Sequence, residues 1–220
     1  MVTDRTVVVV AGGGRAHADP SELADAVAIV AADVGVAEAR RLGLHVDLLV
    51  GDLDSASSDD VRWVEEAGGA VIRHPRDKDA TDLELALDEA LALHAERILV
   101  VCGAEGRFDH TIGNALILGS ERYAGVRIDG WFGHALVHVV RGRRALRGRP
   151  GELLSLFALG GFARGVTTEG LRWPLTDAVL TPGSGWGVSN EFVGPTAVVE
   201  VADGVALAVR PDPHGEGQGG

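Results

Sequence analysis

The sequence predicts an α/β N-terminal domain with a mainly parallel sheet, followed by a C-terminal all-β sandwich domain. Three observations carry that expectation. Through about residue 137, short β-branched runs alternate with amphipathic segments, as β/α units do. From residue 138 the chain turns to short β-like pieces separated by Gly and Pro. The closing DPHGEGQGG carries no apolar anchor, which predicts a disordered tail. The expected division is therefore 1–137, 138–212 and 213–220.

TVVVVAG (6–12), AIVAAD (28–33), VDLLVGD (46–52), AVIRH (70–74) and RILVVCG (97–103) are nearly all apolar, as strands buried on both faces are. Between and after them, 36–43, 58–69, 81–93 and 108–119 read as helices, most ended or followed by glycine, His or a charged turn. In the third, Leu83, Leu87, Ala90 and Leu91 share a face, and Asp79 with Asp82 three residues on resembles a capping box. LVHVVRG, GELLSLFALG, GFARGVTTEG, AVLTPG, GWGVSNEF, TAVVEVADG and VALAVRP read as the strands of the second domain.

The 220 residues, 46% hydrophobic and 24% charged, describe a folded globular chain. A formal charge of −12 repels nucleic acid and anionic membranes, so a small molecule or a protein is the expected partner. An anionic ligand then needs a divalent metal or a few basic side chains beside it. The single cysteine, Cys102, excludes a disulfide framework and fits a reducing compartment. With no signal-like N-terminus and no apolar run long enough to span a bilayer, the cytoplasm is the expected location.

Open α/β sheets bind ligands beyond the carboxyl ends of their strands. AIVAAD ends in Asp33, and VDLLVGD ends in Asp52 with Asp54 two residues on, where an extended chain points both side chains the same way. Adjacent carboxylates repel unless a cation lies between them, and magnesium takes carboxylates together with phosphate oxygens. An Asp in such a position also caps helices, so a turn or cap role for one of the pair is the competing reading. DKDATD adds Asp82 and Lys78, the latter a point cation suited to phosphate. GAEGRFDH adds Arg107, which reads equally as a phosphate ligand or an ion-pair partner. AGGGRA is neither a dinucleotide fingerprint nor a P-loop, Cys102 reads as an inert core thiol, and Ser184 lacks the setting of a nucleophile elbow.

In order along the chain stand AADVG (31–35), VDLLVGDLDS (46–55), KDATDLELAL (78–87), GAEGRFDHTIGN (103–114), GVTTEGLRWPL (165–175) and GVSNEF (187–192). Together these blocks resemble the thiamine pyrophosphokinase family over roughly residues 6–210. The resemblance implies transfer of a diphosphate group from ATP to thiamine, giving thiamine diphosphate and AMP, with Mg2+ as cofactor. It also implies a homodimer with active sites between subunits. It assigns Asp52, Asp54 and Asp82 as metal and catalytic carboxylates, and Asp33, Lys78, Thr81 and Arg107 as contacts to ATP. Asp109, Thr167, Trp173, Ser189 and Asn190 are the corresponding thiamine contacts. Two positions depart from the family pattern: Val34 replaces the first glycine of ADGG, and Glu169 stands where small or hydroxyl residues are common. A non-catalytic nucleotide- or thiamine-binding regulator of the same fold, or another Mg-dependent diphosphotransferase, are the alternatives.

Overall fold

The computed structural model describes residues 4–215. Two compact units make up the chain. One takes the chain up to Asn114 together with Val126–Gly133, and the other takes Ala115–Gly125 together with the chain from His134 on. From residue 216 the expected disordered tail lies outside the described residues.

In the first unit every strand pairing is parallel. The strands are β1 (Thr6–Val10), β2 (Ala28–Ala32), β3 (Leu48–Gly51), β4 (Ala70–Arg73), β5 (Arg97–Cys102) and β6 (Arg127–Phe132), in spatial order β6-β5-β1-β2-β3-β4. Val7–Val10 and Ile98–Cys102 are completely buried, because central strands meet a packed layer on each face. The edge strand β4 is only partly covered, as its end position requires.

The helices of this unit are α1 (Pro20–Ala24), α2 (Gly35–Arg41), α3 (Ser58–Glu66) and α4 (Asp82–Ala92); α5 (Phe108–Ile117) runs on into the second unit. α4 lies against β1, β2 and β3 through Leu83, Ala86, Leu87 and Ala90, so Ala86 takes the buried place expected of Leu91. Its cap also differs from the expectation. Thr81, not Asp79, is the N-cap: its hydroxyl accepts from the Glu84 N–H at 3.2 Å, and Glu84 Oε2 accepts from the Thr81 N–H at 2.8 Å. Thr81 thereby frees Asp82 from capping and leaves its carboxylate at the first position of the helix.

Strand β6 and helix α1 are elements the periodicity does not announce. RIDGWF carries an acid in mid-strand, and Asp129 is tolerated there because Arg97 of β5 donates to it at 3.0 Å while also pairing with Glu22 of α1 at 3.1 Å.

The second unit holds β7 (Ala135–Arg147), β8 (Leu153–Ala158), β9 (Ala163–Glu169), β10 (Ala178–Leu180), β11 (Asn190–Glu191) and β12 (Thr196–Arg210), all paired antiparallel. TAVVEVADG and VALAVRP, expected as two strands, are one long β12 with an irregularity between Val201 and Ala206. Ala197, Val199 and Val201 face the core before it and Ala206 and Ala208 after it, so the inserted residues switch which parity points inward. The first half pairs with β9 and the second with β8, so the sheet folds over one core in the sandwich manner. Glu169 ends β9, and Arg143 bridges it at 3.2 Å and Glu200 at 3.3 Å.

Leu87 is fully buried and holds α4 on the sheet. Leu87→Ala is expected to cost about 2–5 kcal/mol, read by urea denaturation, and a loss below about 1 kcal/mol would remove this helix–sheet contact from the account.

Candidate active site

The site begins at the carboxyl ends of β2 and β3. Asp33 follows β2 with φ 43°, a left-handed turn that stops the strand and turns its side chain in; its own N–H stays tied to the Val50 carbonyl at 2.9 Å. Gly51 ends β3 at φ 150°, and a Cβ built there meets Asp33 Cβ and Asp82 Oδ1 at 3.1 Å. A side chain there would strain the backbone at this φ and press on both acids, which glycine avoids.

Carboxylate oxygens of Asp33, Asp52 and Asp82 lie within 4.8 Å of one another. Lys78 partly offsets them: Nζ donates to Asp82 at 2.7 Å and lies 3.4 Å from Asp52, all three side chains being half-buried or better. Partial burial works against the Lys78 charge, but its bonds and attraction to Asp82 and Asp52 outweigh it and hold the ammonium above its usual pKa.

The acids are not equivalent. Asp33 is buried, at 7% exposure, and its Oδ1 has no hydrogen-bond partner among the described residues. Burial pushes its pKa up; the Val34 N–H opposes the shift, and the charges of Asp82, Asp52 and Asp54 add to it. Asp52 is held low, first by the Asp54 N–H donating to its Oδ1 at 3.1 Å and further by Lys78, against some desolvation. Asp54 lies outside the converging trio. Leu53, buried at φ 59°, bends the chain between the two acids. Asp54 instead accepts from the Ser55 hydroxyl at 3.0 Å and pairs with Arg76 at 3.3 Å, a partner the sequence reading did not single out.

Three oxygen donors around a buried orphan atom suit a hard divalent cation, which satisfies Asp33 Oδ1 and relieves the crowding of like charges together. Val34, in place of a glycine, has φ −58°, so this backbone makes no demand for glycine there. Its methyl covers Gly12, where an added Cβ would meet it at 2.5 Å.

The other expected residues are placed as follows. Thr81 is occupied in the α4 cap. Arg107 and Asp109 form an exposed two-bonded pair at 2.9 and 2.6 Å, and Arg107 holds the Asp109 carboxyl far below the usual range. In the second unit Thr167 Oγ1 accepts from the Asp177 N–H at 3.2 Å, and Ser189, at φ 58°, donates its N–H to the Ser155 hydroxyl at 3.1 Å. Trp173 is 52% exposed. The buried Asn190 amide is spent on backbone: Oδ1 accepts from the Trp173 and Glu191 N–H groups at 3.1 and 2.9 Å, and Nδ2 donates to the Trp173 carbonyl at 2.7 Å.

Two family models match the chain: "Thiamin pyrophosphokinase, catalytic domain" over residues 20–128 and "Thiamin pyrophosphokinase, vitamin B1 binding domain" over residues 138–206. Thiamine pyrophosphokinase of Bacillus subtilis (strain 168) is 28% identical over 171 residues, 73% of this chain and 76% of the relative. Thiamine pyrophosphokinase 1 of Oryza sativa subsp. japonica is 26% identical over 167 residues, 68% of this chain and 60% of the relative. The crystal structure of a thiamin pyrophosphokinase family protein from Enterococcus faecalis superimposes with a TM-score of 0.78 at 26% identity, covering 94% of this chain and 98% of that one. The Bacillus subtilis enzyme reaches 0.80 at 23% identity over 94% and 99%, a likeness of fold.

Asp33 supplies a pH prediction. Its pKa is raised on folding, so the protonated form is favoured in the folded chain and the stabilisation it gives is complete at acid pH and lost as pH rises through the folded value. In chelator-treated protein, Asp33→Asn should therefore raise the melting temperature at pH 7, and the gain should vanish toward about pH 3–4, near the unfolded carboxyl pKa. An Asn variant less stable than the parent at pH 7 would contradict the burial of an uncompensated charge.

Proposed function

The chain belongs to the thiamine pyrophosphokinase family, and we infer from that membership that it transfers a diphosphate group from ATP to the hydroxyethyl group of thiamine. The single observation that carries the reading at the level of chemistry is the convergence of Asp33, Asp52 and Asp82 beside Lys78 at the strand ends. In the balanced step the thiamine hydroxyl oxygen bonds to the β-phosphorus of ATP, the bond from that phosphorus to the bridging oxygen of the α-phosphate breaks, and AMP departs with the electron pair. The hydroxyl proton passes to a carboxylate of the cluster.

We assign Asp52 and Asp82 as metal carboxylates with Asp33 behind them, and keep Asp54 in the catalytic set on the neighbouring turn. Magnesium, when bound there, neutralises phosphate oxygens and aligns them for displacement. The residues of the chain then do the rest. Lys78 supplies a fixed positive charge to the phosphates, Thr81 holds the first turn of α4 so that Asp82 keeps its position, and Arg107 offers the guanidinium edge that Asp109 leaves free to nucleotide or diphosphate. Asp109 tethers that guanidinium.

On the thiamine side, Trp173 offers an indole face to a cationic heteroaromatic ring. Asn190 acts by holding the Trp173 backbone, and Thr167 and Ser189 belong to the thiamine contacts of the same proposal. A homodimer with sites between subunits, in the cytoplasm, belongs to the same proposal. Its physical support is that the acids and the exposed indole lie in different units of the chain. Among the described residues no helix is long and apolar enough to cross a membrane.

Incubation with ATP, magnesium and thiamine should yield AMP and thiamine diphosphate in equal amounts. Asp52→Asn and Asp82→Asn should each lower turnover about 100-fold or more, the scale of losing a pre-organised electrostatic group, with little change in melting temperature. Absence of both products from the parent protein would overturn the function, and full activity in both variants would overturn the metal assignment. Light scattering on the eluting protein should give twice the monomer mass; a fully active monomer would remove the shared-site arrangement.

A further inference from the structure

Within the second unit, one face of the exposed Trp173 indole is already taken. The Arg172 guanidinium carbon lies 4.8 Å from its ring centroid, and the same guanidinium pairs with Glu191 at 2.9 Å. The contact is built into the backbone. Arg172 N–H donates to the Glu191 carbonyl at 2.9 Å, Leu171 bridges Phe192, and Asn190 grips both the N–H and the carbonyl of Trp173. Three consecutive positions, 171–173, are thus held against 190–192, which sets the arginine, its counter-ion and the indole side by side.

This arrangement poses an electrostatic problem for a cationic ligand. Thiamine carries a quaternary thiazolium, attracted to an indole face by its quadrupole but repelled by a guanidinium on the other side of the same ring. Glu191 resolves it by cancelling the Arg172 charge locally. We infer that Arg172 and Glu191 form a neutral clamp that positions Trp173 for thiamine: the guanidinium holds one face, Glu191 neutralises it, and the opposite face receives the cationic ring. Both residues act through the indole and are positioning residues. The inference rests on the reading of Trp173 as a thiamine contact.

The pair also makes the site selective. With the guanidinium neutralised, the free face favours a flat cation. With Glu191 gone, the same face stands behind an uncompensated positive charge and loses that preference.

Steady-state kinetics on the full chain, with thiamine and ATP varied separately at low and high salt, test the clamp. Glu191→Gln should raise the thiamine KM about three- to tenfold, the scale of a partly exposed cation–π contact, while ATP KM and kcat stay within about twofold. Added salt should shrink the defect, since the repulsion it exposes is screened within about a Debye length of 8 Å. Adding Arg172→Gln to Glu191→Gln should recover part of the thiamine affinity, an outcome that a merely unfolded loop does not give. Quenching of tryptophan fluorescence by thiamine without ATP should follow the same order. An unchanged thiamine KM in Glu191→Gln, with Trp173→Ala strongly impaired, overturns the clamp and leaves the Trp173 reading intact. A salt-independent defect that the double variant deepens likewise overturns it. Normal thiamine KM in Trp173→Ala overturns both.

Discussion

The chemistry of the first unit depends on one constraint: three carboxylates, from the ends of β2 and β3 and the start of α4, crowd at the carboxyl ends of the strands against their own repulsion. Neither propensity nor packing favours that arrangement. It is enforced by the left-handed turn at Asp33, by the missing side chain at Gly51, and by a helix whose cap is supplied by Thr81 so that Asp82 need not serve. Lys78 offsets part of the charge, and the buried orphan oxygen of Asp33 records what it does not offset. Local rules are broken where function is proposed, and the surrounding fully buried strands make the breakage tolerable.

The strands that carry this site, β2 and β3, were legible because each is largely buried and so reads as an apolar run. β6 was not, since RIDGWF breaks its run with Asp129, and that acid is admitted only through Arg97, thirty-two positions away in the chain. α1 is too short for periodicity, being set instead by Asp19 accepting from the Ser21 N–H ahead of Pro20. β12 hid as two strands because ADG reads as a turn, whereas here the chain continues past an irregularity that reverses its facing.

The acids themselves were visible at strand ends, and their grouping was only partly so. An i, i+2 spacing suggests that Asp52 and Asp54 act side by side, and the Asp54 N–H does donate to Asp52 Oδ1 at 3.1 Å; but past Leu53, at φ 59°, the Asp54 carboxylate pairs with Arg76, and Asp33 is the acid that joins Asp52 and Asp82 in the trio. Backbone conformation at a single residue, which no spacing rule reports, decides which acids meet. The second unit teaches the same lesson at Trp173: its residue type alone reads as sandwich core and only the family resemblance makes it a thiamine contact, whereas the Asn190 amide and the Arg172–Glu191 pair beside it become evident only once β11 is seen next to it.

The central claim is that the crowded acids exist to hold a divalent cation with the nucleotide. Calorimetric titration of magnesium into the chain saturated with a non-hydrolysable ATP analogue measures this directly. The account predicts saturable binding that Asp82→Asn weakens at least about tenfold and that Thr167→Ala, in the other unit, leaves unchanged. Magnesium binding of equal strength in the parent and in Asp82→Asn would contradict it.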